Sequence, residues 1–183
     1  MAKSLVTAAR AVGYGAEEVN AVSRAFDLAM KPRIATLEDD HHPAYLHPGR
    51  SVLILLHDVG YVDLAALIIA AILESVDVTL RVGHERLETA VDGAILAALG
   101  AIPAPGDERL IERLVVLGPG AALATLAERL DHLRHLHLRE DLIDSWADTH
   151  QEVLGAWLPF AQRTDSKLAT RYAHWARTFG KRI

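Results

Sequence analysis

Every residue from Leu64 to Leu73 is Ala, Leu or Ile. The segment from Val62 to Ser75 holds no glycine or proline, so it reads as a helix that is apolar almost all round. Such a helix is stable in water only when other elements cover it on every side. The run is too short to span a bilayer, so the cover has to come from the rest of the chain. The expectation is a bundle built around this helix.

The remaining segments carry helical periodicity, and none shows a strand-like alternation. Ser4 is placed to cap a first helix that stops near Gly13, Tyr14 and Gly15. A second helix runs from Glu17 to about Met30, where Pro32 is expected to end it. After a polar loop from Arg33 to Leu46, Pro48 suits the first turn of a helix. That helix reaches about Asp58 and is broken by Gly60. From His84, Leu87, Val91, Ile95 and Leu99 repeat at helical spacing. A short helix is expected from Glu108 to Leu117 and a long one from Ala121 to about Arg139. A longer one runs from Asp141 to Gln162, kinked at Pro159. A last helix turns Leu168, Tyr172, Trp175 and Phe179 inward. Connections are short, so residues 1–183 read as one compact all-α multi-helix domain.

Composition narrows the function classes. Hydrophobic residues make up 51% of the 183 and aromatics only 5%, a balance that favours helix and a real core. A net charge of −5 argues against non-specific nucleic-acid binding and against a basic membrane anchor. The absence of cysteine excludes disulfides and thiolate zinc sites. With no signal-like pattern at Met1 and no spanning run, a soluble cytoplasmic protein is expected. Nothing in the sequence speaks to oligomeric state.

Several groups of residues can carry chemistry. Glu128, His132 and His135 stand at i, i+4 and i+7, one face of a helix. A His/Glu set of this kind suits a divalent transition metal. His57 and Asp58 form a His-Asp pair that reads as a solvated helix terminus. Asp39, Asp40, His41 and His42 read as a polar loop able to chelate metal weakly. Gly118, Pro119 and Gly120 make a turn without the lysine and preceding strand of a phosphate loop. Trp146, Trp157 and Trp175 lie on apolar faces and read as core.

The order and spacing of four segments carry a resemblance. Tyr45-Leu46-His47-Pro48 is followed, at the end of the apolar helix, by Leu73-Glu74 and then Val76, Asp77 and Thr79. Later come Leu123-Ala124-Thr125-Leu126-Ala127-Glu128-Arg129-Leu130 with His132-Leu133-Arg134, and finally Leu158-Pro159-Phe160-Ala161-Gln162-Arg163. Together these resemble the HD-domain hydrolases of the RelA/SpoT type, and the likeness covers most of the chain. It implies a compact helical HD-domain bundle. That family removes the 3′-pyrophosphate from guanosine tetra- and pentaphosphate with bound Mn²⁺. Carried over by position, its metal ligands fall on His47, Leu73, Glu74 and Glu128. Its pair of water-handling acids falls on Asp77 and Val78, and a phosphate-facing lysine on Thr125.

The departures decide what the resemblance implies. Leu73 cannot bind a metal, and Asp77 alone is left of the acid pair. Activation of water needs a metal and an oriented base together. The expected protein is therefore a degenerate member: hydrolysis lost or crippled, any Mn²⁺ weakly held, and a nucleotide bound for a binding or regulatory role. An active phosphohydrolase with an altered His/Glu ligand set is the alternative, with His132 as a substitute ligand beside His47, Glu74 and Glu128. A helical interaction module is the third reading. At the site itself, a metal-free network is open too, with protonated His47 between the carboxylates of Glu74 and Glu128.

Overall fold

The computed structural model describes residues 1–36, 46–77, 84–104 and 106–183, the side chains of 33–36, 74–77 and 84 excepted. Among the described residues all regular secondary structure is helical, with no strand. No described helix is long and apolar enough to cross a membrane.

The apolar run forms helix α4 (Leu64–Asp77). It packs against α2 (Ala16–Thr36), α3 (His47–Ile54), α6 (Gly93–Ala101) and α8 (Pro119–His135). From Ala66 to Leu73 every side chain is buried, so burial on all sides is met as the sequence requires. Helices α3, α4 and α8 touch one another pairwise and form the centre of the bundle. Around them lie α1 (Ala2–Val12), α5 (His84–Ala90), α7 (Leu110–Leu117), α9 (Trp146–Glu152), α10 (Leu158–Thr164) and α11 (Ser166–Phe179). Helix α11 is bolted to α8 by two buried donors. Tyr172 donates its hydroxyl to the Leu126 carbonyl at 2.8 Å, and Trp175 its indole N–H to that of Leu133 at 2.6 Å.

Several expected boundaries move, each for a local reason. Ser4 lies inside α1, which begins at Ala2. Met1 packs over Gly49 of α3, where a Cβ would meet the Met1 side chain and lie 2.9 Å from Phe26 Cε2; that close approach draws the first turn onto α3. Pro32 does not end α2, which continues one turn to Thr36. A proline removes one N–H but leaves the later donors in place, and Ala29 and Met30 just before it are buried. The segment from His84 is two helices, because Asp92 turns extended and caps the second by accepting from the Ala94 N–H at 2.8 Å. Helix α8 tightens into a 3₁₀ turn, Leu136–Leu138, before Arg139.

Two π-helical turns mark irregularities that the sequence foretells only as breaks. After α3, Leu55–Val59 winds with an i→i+5 bond from the Gly60 N–H to the Leu55 carbonyl at 2.9 Å. Gly60 then leaves at φ +100°, a conformation that costs a glycine little. Before α10, Val153–Trp157 is wound the same way. Pro159 has no N–H for the Gly155 carbonyl four residues back, and the wider turn is the accommodation. Val153, Trp157 and Phe160 are buried, as are Leu168, Tyr172, Trp175 and Phe179.

Candidate functional site

Each of the three central helices brings residues to one cavity of about 530 Å³. Helix α3 contributes His47 and Arg50, α4 contributes Leu73, and α8 contributes Thr125, Glu128, Asp131 and His132. His47, Leu73 and Glu128, far apart in sequence, thus share one lining. Leu73 is part of the cavity wall and does not fill the cavity.

His47 is buried, 1% exposed, at the N-terminal end of α3, where Pro48 occupies the first turn. Its Nδ1 lies 2.6 Å from Oδ2 of Asp131, itself only 2% exposed. Arg50, one turn on from His47, donates its Nε–H to the same carboxylate at 3.0 Å and approaches it with Nη2 at 2.9 Å. Burial alone would raise the Asp131 pKa, but the hydrogen bonds from His47 and Arg50 and their charges hold it below the ordinary value. Asp131 is therefore ionised and can only accept, so the proton on Nδ1 belongs to His47. Nε2, the other ring nitrogen, faces Glu128, whose Oε1 is 3.5 Å away.

Glu128 also meets His132, with Oε1 2.8 Å from Nε2. Burial again opposes ionisation, and the contacts to His132 and His47 outweigh it, holding Glu128 well below the usual carboxylate range. The two imidazole rings lie 4.0 Å apart between centroids. One turn before Glu128, the Thr125 hydroxyl is spent on the Ala121 carbonyl at 2.9 Å.

The donor chemistry fits a divalent transition metal. Two imidazoles and one carboxylate, from His47, Glu128 and His132, bring ligand atoms within 4.8 Å of one another, and they border an open cavity. Three protein ligands beside open space is the arrangement of sites where a metal keeps a position for water or substrate. The hydrogen bond from the far side of His47 to a carboxylate is the support that metal-bound histidines commonly have.

Three expectations need correction or limitation. His135 lines the cavity but does not join the triad, because its Nδ1 turns back along the helix to the Asp131 carbonyl at 2.8 Å. Of the network that places protonated His47 between Glu74 and Glu128, the approach to Glu128 is present and Asp131 takes Nδ1, while the Glu74 side chain lies outside the described residues. Asp58 is not a solvated terminus: only 8% of its side chain is exposed, and it pairs with Arg134 and Arg171. The side chains of Glu74 and Asp77 lie outside the described residues, as do Val78, Thr79 and the run Asp39 to His42.

Asp131 and Arg50 were not legible as site residues from the pattern singled out, yet spacing held the signal. Asp131 is three residues after Glu128, and Arg50 three after His47, so each shares a helix face with a candidate ligand. Trp157 is core, as expected, but it is also cavity wall. Its indole N–H donates to Glu152 Oε1 at 2.7 Å, and Arg129 stands 5.7 Å over its ring. No family model, curated protein or solved structure matches the chain.

Proposed function

We propose that the protein holds a divalent metal ion through His47, Glu128 and His132, and that its cavity takes a phosphate-bearing ligand. A nucleotide is the ligand on the reading that the chain is a degenerate HD-domain hydrolase of the RelA/SpoT type. The observation that carries the proposal is the chain of contacts from Asp131 to His47 Nδ1, from His47 Nε2 to Glu128, and from Glu128 to His132. An ionised carboxylate behind the ring fixes the tautomer that presents Nε2 as a ligand.

The rest of the lining supports an anionic ligand. Arg50, Arg129 and Arg139 border the cavity, and guanidinium groups match the geometry of phosphate oxygens. Trp157, Leu136 and Leu142 offer apolar surface beside them. When bound, the metal would supply Lewis-acid polarisation of phosphoryl oxygens. The residues of the chain would bind and orient.

Fast hydrolysis is not part of this reading. Asp131 is engaged by His47 and Arg50, Glu128 is a ligand, and Leu73 brings only an alkyl group to the wall. The proposed role is binding or regulation, with turnover of guanosine tetraphosphate in Mn²⁺ below about 1 s⁻¹, under the ordinary enzyme range.

One observation favours a second reading. Glu128 and His132 are already in direct contact at 2.8 Å, as a purely structural ion network would have them. Calorimetric titration of Mn²⁺ and Zn²⁺ into the wild type and His132→Ala separates the two. The metal reading expects saturable binding that the variant weakens. A thermal-shift series with guanosine tetraphosphate, with and without metal, then tests the ligand. Equal heats in both proteins, with no ligand-induced stabilisation, would leave the structural network as the better account.

A further inference from the structure

We propose that a second, separate groove, between the end of α8 and helix α11, binds a small phosphorylated anion. This groove measures about 360 Å³ and shares no lining residue with the central cavity. Its wall holds Arg134, Arg171 and Arg182, with His137 and His174 among them. A chain of net charge −5 therefore concentrates positive charge at one place, which whole-chain composition conceals.

Two of the three guanidinium groups, those of Arg134 and Arg171, are held, not merely present. Asp58, in the π turn after α3, accepts from Arg171 through Nη2 at 2.6 Å and Nε at 2.9 Å, and from Arg134 Nη2 at 3.1 Å. One carboxylate thus orients two cations and leaves the group net positive. Each guanidinium has five N–H donors, so most remain for a ligand. Side-chain exposures of 52% for Arg171 and 38% for Arg134 keep those donors accessible. Trp175 and Phe179 also line the groove, with rings stacked at 4.7 Å and both residues buried. A rigid aromatic wall beside preset guanidinium groups lowers the ordering cost of binding. Phosphate is the anion whose charge and oxygen spacing best use paired guanidiniums. The groove lies within the size range of small-molecule sites.

The test titrates inorganic triphosphate, in EDTA to silence any metal in the cavity, into four proteins: wild type, His132→Ala, Arg182→Gln, and Arg171→Gln with Arg182→Gln. Arg182 is exposed and its side chain makes no ion pair among the described residues, so its replacement leaves the fold intact. Saturable binding is expected in the wild type and unchanged in His132→Ala. Affinity should fall about threefold in Arg182→Gln and about tenfold or more in the double variant. Raising the salt should weaken the wild type, as screening requires. The proposal is overturned if triphosphate shows no saturable binding, or if Arg182→Gln and the double variant bind as the wild type does. Loss of binding in His132→Ala would overturn it too, as would saturable binding by a DNA duplex or by phosphatidylserine vesicles but not by triphosphate.

Discussion

Asp131 grips His47 from behind, its Oδ2 2.6 Å from Nδ1, with both residues almost wholly buried. The pair crosses from α8 to α3 and sets which nitrogen of the ring faces Glu128.

Asp131→Asn keeps the size of the side chain but gives up the ionised acceptor. Metal affinity measured by calorimetry should fall about 10- to 100-fold, the usual effect of losing the carboxylate behind a ligating histidine. Nitrogen chemical shifts of His47 should report a changed tautomer population. Unchanged metal affinity with a changed tautomer would break the link between the two.

Leu73→His adds an imidazole to the cavity wall. Glu128 already reaches both His47 and His132, so it should keep its length while position 73 gains a ligand. Mn²⁺ should bind more tightly than in the wild type. Hydrolysis of guanosine tetraphosphate should stay slow, because Val78 and Thr125 offer neither an acid nor a cationic charge. A phosphate-release assay beside the titration checks both halves; rapid turnover in the variant would show that one ligand was all that activity lacked.

Acid should loosen the centre of the molecule. Glu128 and Asp131 are both held below their ordinary values of 4.5 and 3.8, the histidine and arginine contacts outweighing burial. A carboxylate with a lowered folded pKa takes up its proton more readily when the chain is unfolded. Its contribution is therefore complete above the ordinary value and is lost as pH falls toward the lowered one. The melting temperature should hold from pH 7 to about pH 5 and then fall below about pH 4. Glu128→Gln should melt lower than the wild type at pH 7 and lose less on acidification. Parallel melting curves for the two proteins would contradict this account.

Gly49→Ala tests the seam between α1, α2 and α3. The added Cβ would press on Met1, a flexible neighbour, and on Phe26 at 2.9 Å, a ring that is itself buried. The expected loss is about 1–3 kcal/mol, the usual cost of overpacking, read from urea unfolding. A shift within error would mean that Met1 and Phe26 repack freely.

The all-α class, the buried α4 and the inward faces of α10 and α11 were legible because they rest on periodicity and hydrophobicity, which act along the chain. Proline and glycine breaks were legible in kind but not in outcome. Pro32 could end a helix or sit in its last turn, and the choice depends on what packs before it. Pro159 announced an irregularity, and the π turn that absorbed it follows from the missing N–H. His47, Glu128 and His132 were nameable as candidates because helical spacing and motif order pointed to them.

The tertiary structure alone decided which candidates meet. His132 and His135 stand on the same helix face, yet His132 joins Glu128 while His135 bonds back to its own helix. Asp131 became the partner of His47 only when α8 was laid against α3, and Asp58 became an ion-pair hub only when α11 and the end of α8 arrived beside it. A sequence determines which residues share a face of one helix, since that is set by 3.6 residues per turn. It does not show which faces come together, because that depends on how several helices bury their apolar surfaces at once.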